Sequence, residues 1–246
     1  MVRVQGFIKA LIFVTGIAAC MAWAVAGRDA EAAHPSASAV PPLQVGDVVF
    51  IRVPHLLYRK VADANASWTN HVGVVIEVRE GEAIVAESRV PRAGATSFSQ
   101  FVARSERGRV AVRRLSRDLS DDEKLRVAEA ARLRFGQWYD LGFNIESSRQ
   151  FCSKFVREVM LQATGESVGS VETFASLLAR QPGADQRFWT WWYLGNIPWQ
   201  RKTVTPASQY ESAVLRTVFD GWVVTPSHQS GHNSPTIANL FKEPRS

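Results

Sequence analysis

The sequence predicts an α+β fold, and three observations carry that reading. β-rich runs gather between residues 45 and 115, helical signatures follow at 120–135 and 148–164, and more irregular sequence closes the chain. Strands and helices segregated in this way belong to α+β architectures rather than to alternating βαβ units. The composition agrees: 246 residues, 46% hydrophobic and 21% charged, are enough for one good-sized domain with a real core.

Residues 1–27 carry Arg3 and Lys9 and no acid, and residues 10–27 form the apolar run ALIFVTGIAACMAWAVAG. A charged start before an apolar stretch is the pattern of an export signal. Three endings fit it. Ala24-Val25-Ala26 suits signal cleavage, Ile17-Ala18-Ala19-Cys20 suits a lipoprotein acylated on Cys20, and the run is near the lower limit for an uncleaved membrane anchor. Each puts the domain outside the cytoplasm, periplasmic or anchored facing the periplasm, with membrane association through the N-terminus in two of the three. Residues 28–43, rich in Ala, Ser and Pro, read as a flexible linker. The domain proper is expected over 44–224, followed by a tail at 225–246.

Within the domain, Gly46-Asp47 makes a turn into a strand at Val48–Val53, and residues 54–70 look irregular. HVGVVIEV (71–78) and AIVAES (83–88), separated by a short loop containing Gly81, are a hairpin signal, and GRVAVRRL (108–115) is a further strand. Ser120 with Glu123 three residues on forms a capping box, and Leu125, Ala128, Ala131 and Phe135 then recur at helical spacing. A second helix over 148–164 ends at Gly165, suited to a left-handed cap, and a third is expected at 171–180. FWTWWYLGNIPW (188–199) reads as a core strand or packed lid ahead of a substrate or membrane surface. The net charge is +6, with arginines clustered at 104, 107, 109, 113, 114 and 117. That cluster reads as a solvated face, and nucleic acid is not an expected partner of an exported chain.

Of the two cysteines, Cys20 lies in the apolar leader and Cys152 opens the second helix, with Phe155, Val156, Val159 and Ala163 on its face and Lys154, Arg157 and Glu158 opposite. A helix N-terminus offers free N–H groups and partial positive charge, which stabilise a thiolate. A nucleophile also needs a base and a group to orient it. His34 falls in the linker, His228 and His232 in the tail and His55 in a loop, so only His71 opens a strand. Glu87 shares its face if the hairpin loop has three residues, whether Arg79-Glu80-Gly81 or Val78-Arg79-Glu80. A two- or four-residue loop turns it away.

VGDVVF, HVGVV, AES and FCSKFV, in that order, resemble the NlpC-type papain-like hydrolases in circularly permuted form, and within them the YiiX/YebB-like permuted amidases. The resemblance covers residues 44–160 and extends to TPASQYES at 205–212. It implies a small antiparallel sheet packed against helices, with Cys152 as nucleophile, His71 as general base and Glu87 orienting the imidazole. GQWYDLGFN at 136–144 is similar to a segment before the cysteine in that group, which points to Tyr139 and Asp140 as substrate-binding residues. No metal or cofactor is implied. The resulting expectation is a cysteine amidase or peptidase working through an acyl-thioester, with cell-wall peptides as substrate. The alternatives are an acyl-lipid hydrolase or acyltransferase with the same site, and a non-catalytic wall- or lipid-binding module.

Overall fold

A strand that reads as an unbroken apolar run rather than an alternating one has to be covered on both faces. VVFI at residues 48–51 is such a run, and in the computed structural model of the protein all four residues have no exposed surface. The structure describes residues 39–223; the leader with Cys20, most of the linker with His34, and the tail with His228 and His232 lie outside the described residues.

In chain order the elements are β1 (Val48–Ile51), α1 (Leu56–Ala64), β2 (His71–Arg79), β3 (Glu82–Ser88), β4 (Ala93–Ser97), α2 (Phe98–Ala103), β5 (Arg109–Leu115), α3 (Asp121–Arg132), α4 (Cys152–Thr164), β6 (Val171–Thr173), α5 (Phe174–Ala179), α6 (Gln186–Trp192), β7 (Lys202–Val204), α7 (Pro206–Tyr210) and β8 (Leu215–Trp222). Six strands form one antiparallel sheet in the order β4-β3-β2-β1-β5-β8, and β6 with β7 makes a separate ribbon. On one face of the sheet, Val48, Phe50, Val72, Val74 and Ala86 pack with α3 and α4. On the other, Val49, Ile51, Val75, Val85 and Val110 pack with Phe101 and Val102 of α2. A third cluster holds Phe143, Phe151, Phe174 and Trp189. The fold is thus an antiparallel sheet packed against helices, as the sequence implies. Among the described residues no helix is long and apolar enough to cross a membrane.

Local signals decide several boundaries. The Ser120–Glu123 capping box forms reciprocally, and α4 ends at Gly165 with φ 76°. α3 is rotated from the expected face: it buries Val127, Ala128, Ala130 and Ala131, while Leu125 is 70% exposed. Small residues let α3 lie close to α4, and a leucine at the interface would hold them apart. Lys154 is also buried, contrary to its polar placement, because its ammonium donates to the carbonyls of Ser147 and Arg149 in the preceding loop.

Two segments differ from their expected form. Residues 54–70 contain α1, which lacks a side-chain N-cap and is held by packing of Leu57 and Val61 on the third cluster. The aromatic run is helix α6 and a turn, not a strand, and Asp185 caps it by accepting from the Phe188 N–H. The arginines are not a simple solvated face either. Arg104 binds Glu87, Arg109 binds Asp220, Arg114 binds Asp47 and Arg117 binds Glu123.

Asp47 explains why Gly and Asp open β1. Its buried carboxylate accepts from Arg114 Nε at 2.6 Å and Nη2 at 2.8 Å, and from the Gln44 N–H at 2.8 Å. One side chain therefore ties the β1 turn to β5. Asp47→Ala leaves Arg114 without its partner and should cost about 2 kcal/mol, the low side of the range because Arg114 keeps some water. Urea denaturation checks it, and an unchanged midpoint would contradict this role.

Candidate active site

The hairpin puts Glu87 on the right face by an unexpected route. Its loop is the two-residue Glu80-Gly81, with φ 48° and 83°, the left-handed pair of a type I′ turn. Counting back from that loop alone, Glu87 would point away from His71. A β-bulge between Val75 and Glu77 inserts one extra residue in β2, so Val75 pairs with Val85 and Val74 with Ala86. Continued, that register sets Glu87 across from Gly73, on the face of His71.

His71 begins β2 opposite Ile51. The backbone before it is fixed by Asn70, whose amide exchanges hydrogen bonds with Val53, and by the Thr69 hydroxyl, which donates to the Ile51 carbonyl. The imidazole is fully buried. Its Nε2 lies 2.5 Å from Glu87 Oε2, its ring stacks on Phe101 at 5.6 Å, and Tyr58 meets it edge-on at 5.5 Å. Nδ1 is buried without a hydrogen-bond partner among the described residues. His71 interacts with two ionisable neighbours, Cys152 and Glu87. Since Nε2 is held by Glu87, Nδ1 is the nitrogen left for the thiol.

Glu87 is itself clamped. Arg104 Nη2 donates to its Oε1 at 2.7 Å, Arg89 approaches at 3.5 Å, and the Arg104 guanidinium lies over the Phe101 ring. Gly73 makes this stack possible: a Cβ there would sit 2.5 Å from Val85 Cγ1 and 3.0 Å from the Phe101 ring.

Cys152 is the first residue of α4, 4% exposed, after Phe151 in extended geometry. The helix start is anchored from β7 and α7. The Ser153 hydroxyl donates to Val204 O, and the buried Gln209 amide donates to Ser153 O at 2.8 Å. Tyr139 lines the same pocket as Cys152, and after burial the thiol is among the groups that raise its hydroxyl. Asp140 does not join them. Its carboxylate accepts from the N–H groups of Gly142 and Asn144 and builds the loop that leads to α4. His55 is an exposed residue at the start of α1.

Burial alone would lower the proton affinity of His71, but contact with Cys152 and Glu87 outweighs it and pushes the imidazole up to about 9. For Glu87, burial is likewise overcome by His71 and Arg104, which hold its carboxyl below the usual glutamate range. Burial, reinforced by Cys152, raises the hydroxyls of Tyr139 and Tyr58 above the ordinary tyrosine range. Beside the thiol opens a pocket walled by Leu57 and Val61 of α1, Phe143, Phe174, Leu178 and Trp189, with Asn65, Asn70, Thr203 and Thr205 as polar points and no charged side chain in its lining. No group of three or more His, Cys, Asp and Glu side chains among the described residues is placed to hold a metal ion. Arg104, Phe101 and Tyr58 are neighbours of the site that the sequence reading missed, the first hidden in the arginine cluster and the last in a segment taken as irregular.

Two outcomes follow. Because the folded proton affinity of His71 is raised, the stability it contributes is complete below its ordinary 6.5 and is lost as pH rises towards about 9. Glu87→Gln should move that loss to lower pH, read as urea midpoints across the window; superimposable profiles would contradict the pairing. Gly73→Ala should cost about 1–3 kcal/mol as the Phe101 stack is pushed aside, measured by denaturation.

A family model for permuted papain-like amidases, the YaeF/YiiX or C92 family, matches residues 42–219. The uncharacterized protein YiiX of Escherichia coli K12 is 27% identical over 179 residues, 73% of this chain and 87% of that protein. A crystal structure of the metalloprotein YiiX from Escherichia coli O157:H7 superposes with a TM-score of 0.66 at 26% identity, covering 74% of this chain and 99% of that one. With the match spanning strands β1 to β5 and the start of β8, the hairpin and the cysteine helix, the chain belongs to the permuted papain-like amidase family.

Proposed function

We propose that this chain is a thiol hydrolase, acting outside the cytoplasm, that cleaves an acyl bond through a thioester on Cys152. The observation that carries the reading is the divided imidazole of His71: Nε2 is fixed by Glu87, while Nδ1 is buried, without a hydrogen-bond partner among the described residues and left for the thiol. The charged site is balanced, since a thiolate, an imidazolium, Glu87 and Arg104 sum to zero and each has an opposite neighbour.

In the first half-reaction His71 takes the thiol proton and the sulfur attacks the carbonyl carbon. The oxyanion that forms is met by the Cys152 N–H at the start of α4 and by the Tyr139 hydroxyl, which stays protonated and able to donate. As the bond to the leaving group breaks, His71 returns its proton to that group. Water, deprotonated by His71, then attacks the thioester and releases the acid and the thiol. Glu87 holds the ring in place throughout, and Arg104 keeps Glu87 ionised.

The export signal points to cell-wall peptides as a substrate within reach. The pocket beside the thiol favours the second reading, an acyl lipid, because a wall of Leu, Val, Phe and Trp without charge offers nothing to the ionic groups of a short polar peptide and shelters an apolar acyl chain.

Comparing cells with wild-type protein and Cys152→Ala, by profiling both acyl lipids and cell-wall fragments, tests both layers. The expected result is loss of an acyl-lipid turnover with folding intact. A change confined to wall fragments would favour the peptide reading, and turnover unaffected by Cys152→Ala would end the thiol mechanism.

A further inference from the structure

Helix α6 and the turn after it expose apolar side chains that the fold does not use. Trp189 faces inward and lines the pocket, but Trp191 is 68% exposed and Leu194 is 94% exposed. Arg187 and Trp191 lie one turn apart on the outer face of α6 and Leu194 follows in the turn after it; Arg187 makes no salt bridge among the described residues, although Asp185 at the helix cap feels its charge. The rings of Phe188, Trp191 and Trp192 form a continuous cluster, with centroids 5.8–6.2 Å apart. Trp192 Nε1 donates to the carbonyl of Leu141, itself 44% exposed, so the apolar surface continues onto the loop before α4.

The backbone marks the same place. Leu194 has φ 51°, a left-handed conformation that suits Gly or Asn and disfavours a branched side chain. Among the described residues a leucine held there adds nothing to the core, and its side chain is available to a surface outside the molecule. From 186 to 202 the chain has Arg187, Arg201 and Lys202 and no acid. Arg201 donates to the Gly142 carbonyl and Lys202 pairs with Glu146, which leaves Arg187 as the basic residue beside Trp191 and Leu194; Trp and Leu with such a neighbour suit the boundary between anionic headgroups and acyl chains.

We propose that this face docks on a lipid bilayer, with Trp191 and Leu194 inserted at headgroup depth and Arg187 against anionic headgroups. The same helix then presents Trp189 to the pocket and Trp191 to the membrane, so the pocket of Cys152 lies immediately behind the docked surface. The inference goes beyond the proposed chemistry and does not depend on which bond the thiol cleaves.

Hydrogen–deuterium exchange of the full chain, with and without vesicles of phosphatidylethanolamine and phosphatidylglycerol, reads this surface separately from the N-terminal segment. Protection is expected in peptides covering 186–196. In the double variant Trp191→Ser, Leu194→Asn that protection should vanish and vesicle partitioning contributed by this face should fall on the order of tenfold. Alkylation of Cys152 by iodoacetamide should proceed at the wild-type rate; Asn accepts the left-handed backbone at 194, and loss of the Trp191 contacts with Phe188 and Trp192 should lower thermal stability only slightly. Bound wild-type protein with no protection at 186–196 would overturn the proposal. So would protection that appears without vesicles as protein concentration rises, which would make the occupant a second copy of the chain.

Discussion

A buried imidazole between a carboxylate and a thiol is the constraint on which the rest of this structure depends. Neither a lone charged histidine nor a lone glutamate is tolerable without water. His71 and Glu87 are both fully buried, so each requires the other, and Glu87 requires Arg104 in addition. The surroundings are arranged around that requirement. Gly73 is bare so that Phe101 can stack on the imidazole, and Arg104 lies over the Phe101 ring as it reaches Glu87. Asn70 and Thr69 fix the backbone from which His71 projects.

The permuted order of the chain distributes the site over three separate units. The sheet supplies His71 and Glu87, α4 supplies Cys152, and the segment from β6 to α7 supplies one side of the apolar pocket and the anchors of the helix start. Ser153 and Gln209 matter in that setting, because they bind the first turn of α4 to β7 and α7 rather than to the sheet. The thiol is thereby held by one unit and His71 by another, and pocket walls join the two. Lys60 reinforces the joint, pairing with Asp185 at the cap of α6 at 2.7 Å while its helix α1 lines the pocket.

Much of this was legible in the sequence where a local rule has a single physical outcome. Ser120 and Glu123 cap each other whatever else surrounds them, and Gly165 takes a conformation few residues tolerate. The grouping of Cys152, His71 and Glu87 was legible from the ordered motifs, but the register that joins them was not. A two-residue turn and a bulge cancel in their effect on Glu87, and a bulge at Ile76 leaves no mark in a run that is apolar on both sides. Helix α1 escaped notice because packing, not capping, holds it. Leu125 misled because a close helix pair selects small residues over large ones. The aromatic segment was ambiguous in kind: its spacing fits either period, and only the fold distinguishes Trp189, facing in, from Trp191, facing out.

In the proposed mechanism His71 and Cys152 form a reactive pair inside this buried network. The rate of Cys152 alkylation by iodoacetamide as a function of pH tests it most directly, in wild-type protein and in His71→Ala. The wild-type rate should exceed that of His71→Ala at neutral pH, and the difference should narrow as pH rises through about 9, where His71 loses its proton. In His71→Ala the rate at neutral pH should fall, and its dependence on pH should no longer carry a step near 9. Two proteins with the same pH profile would contradict the account.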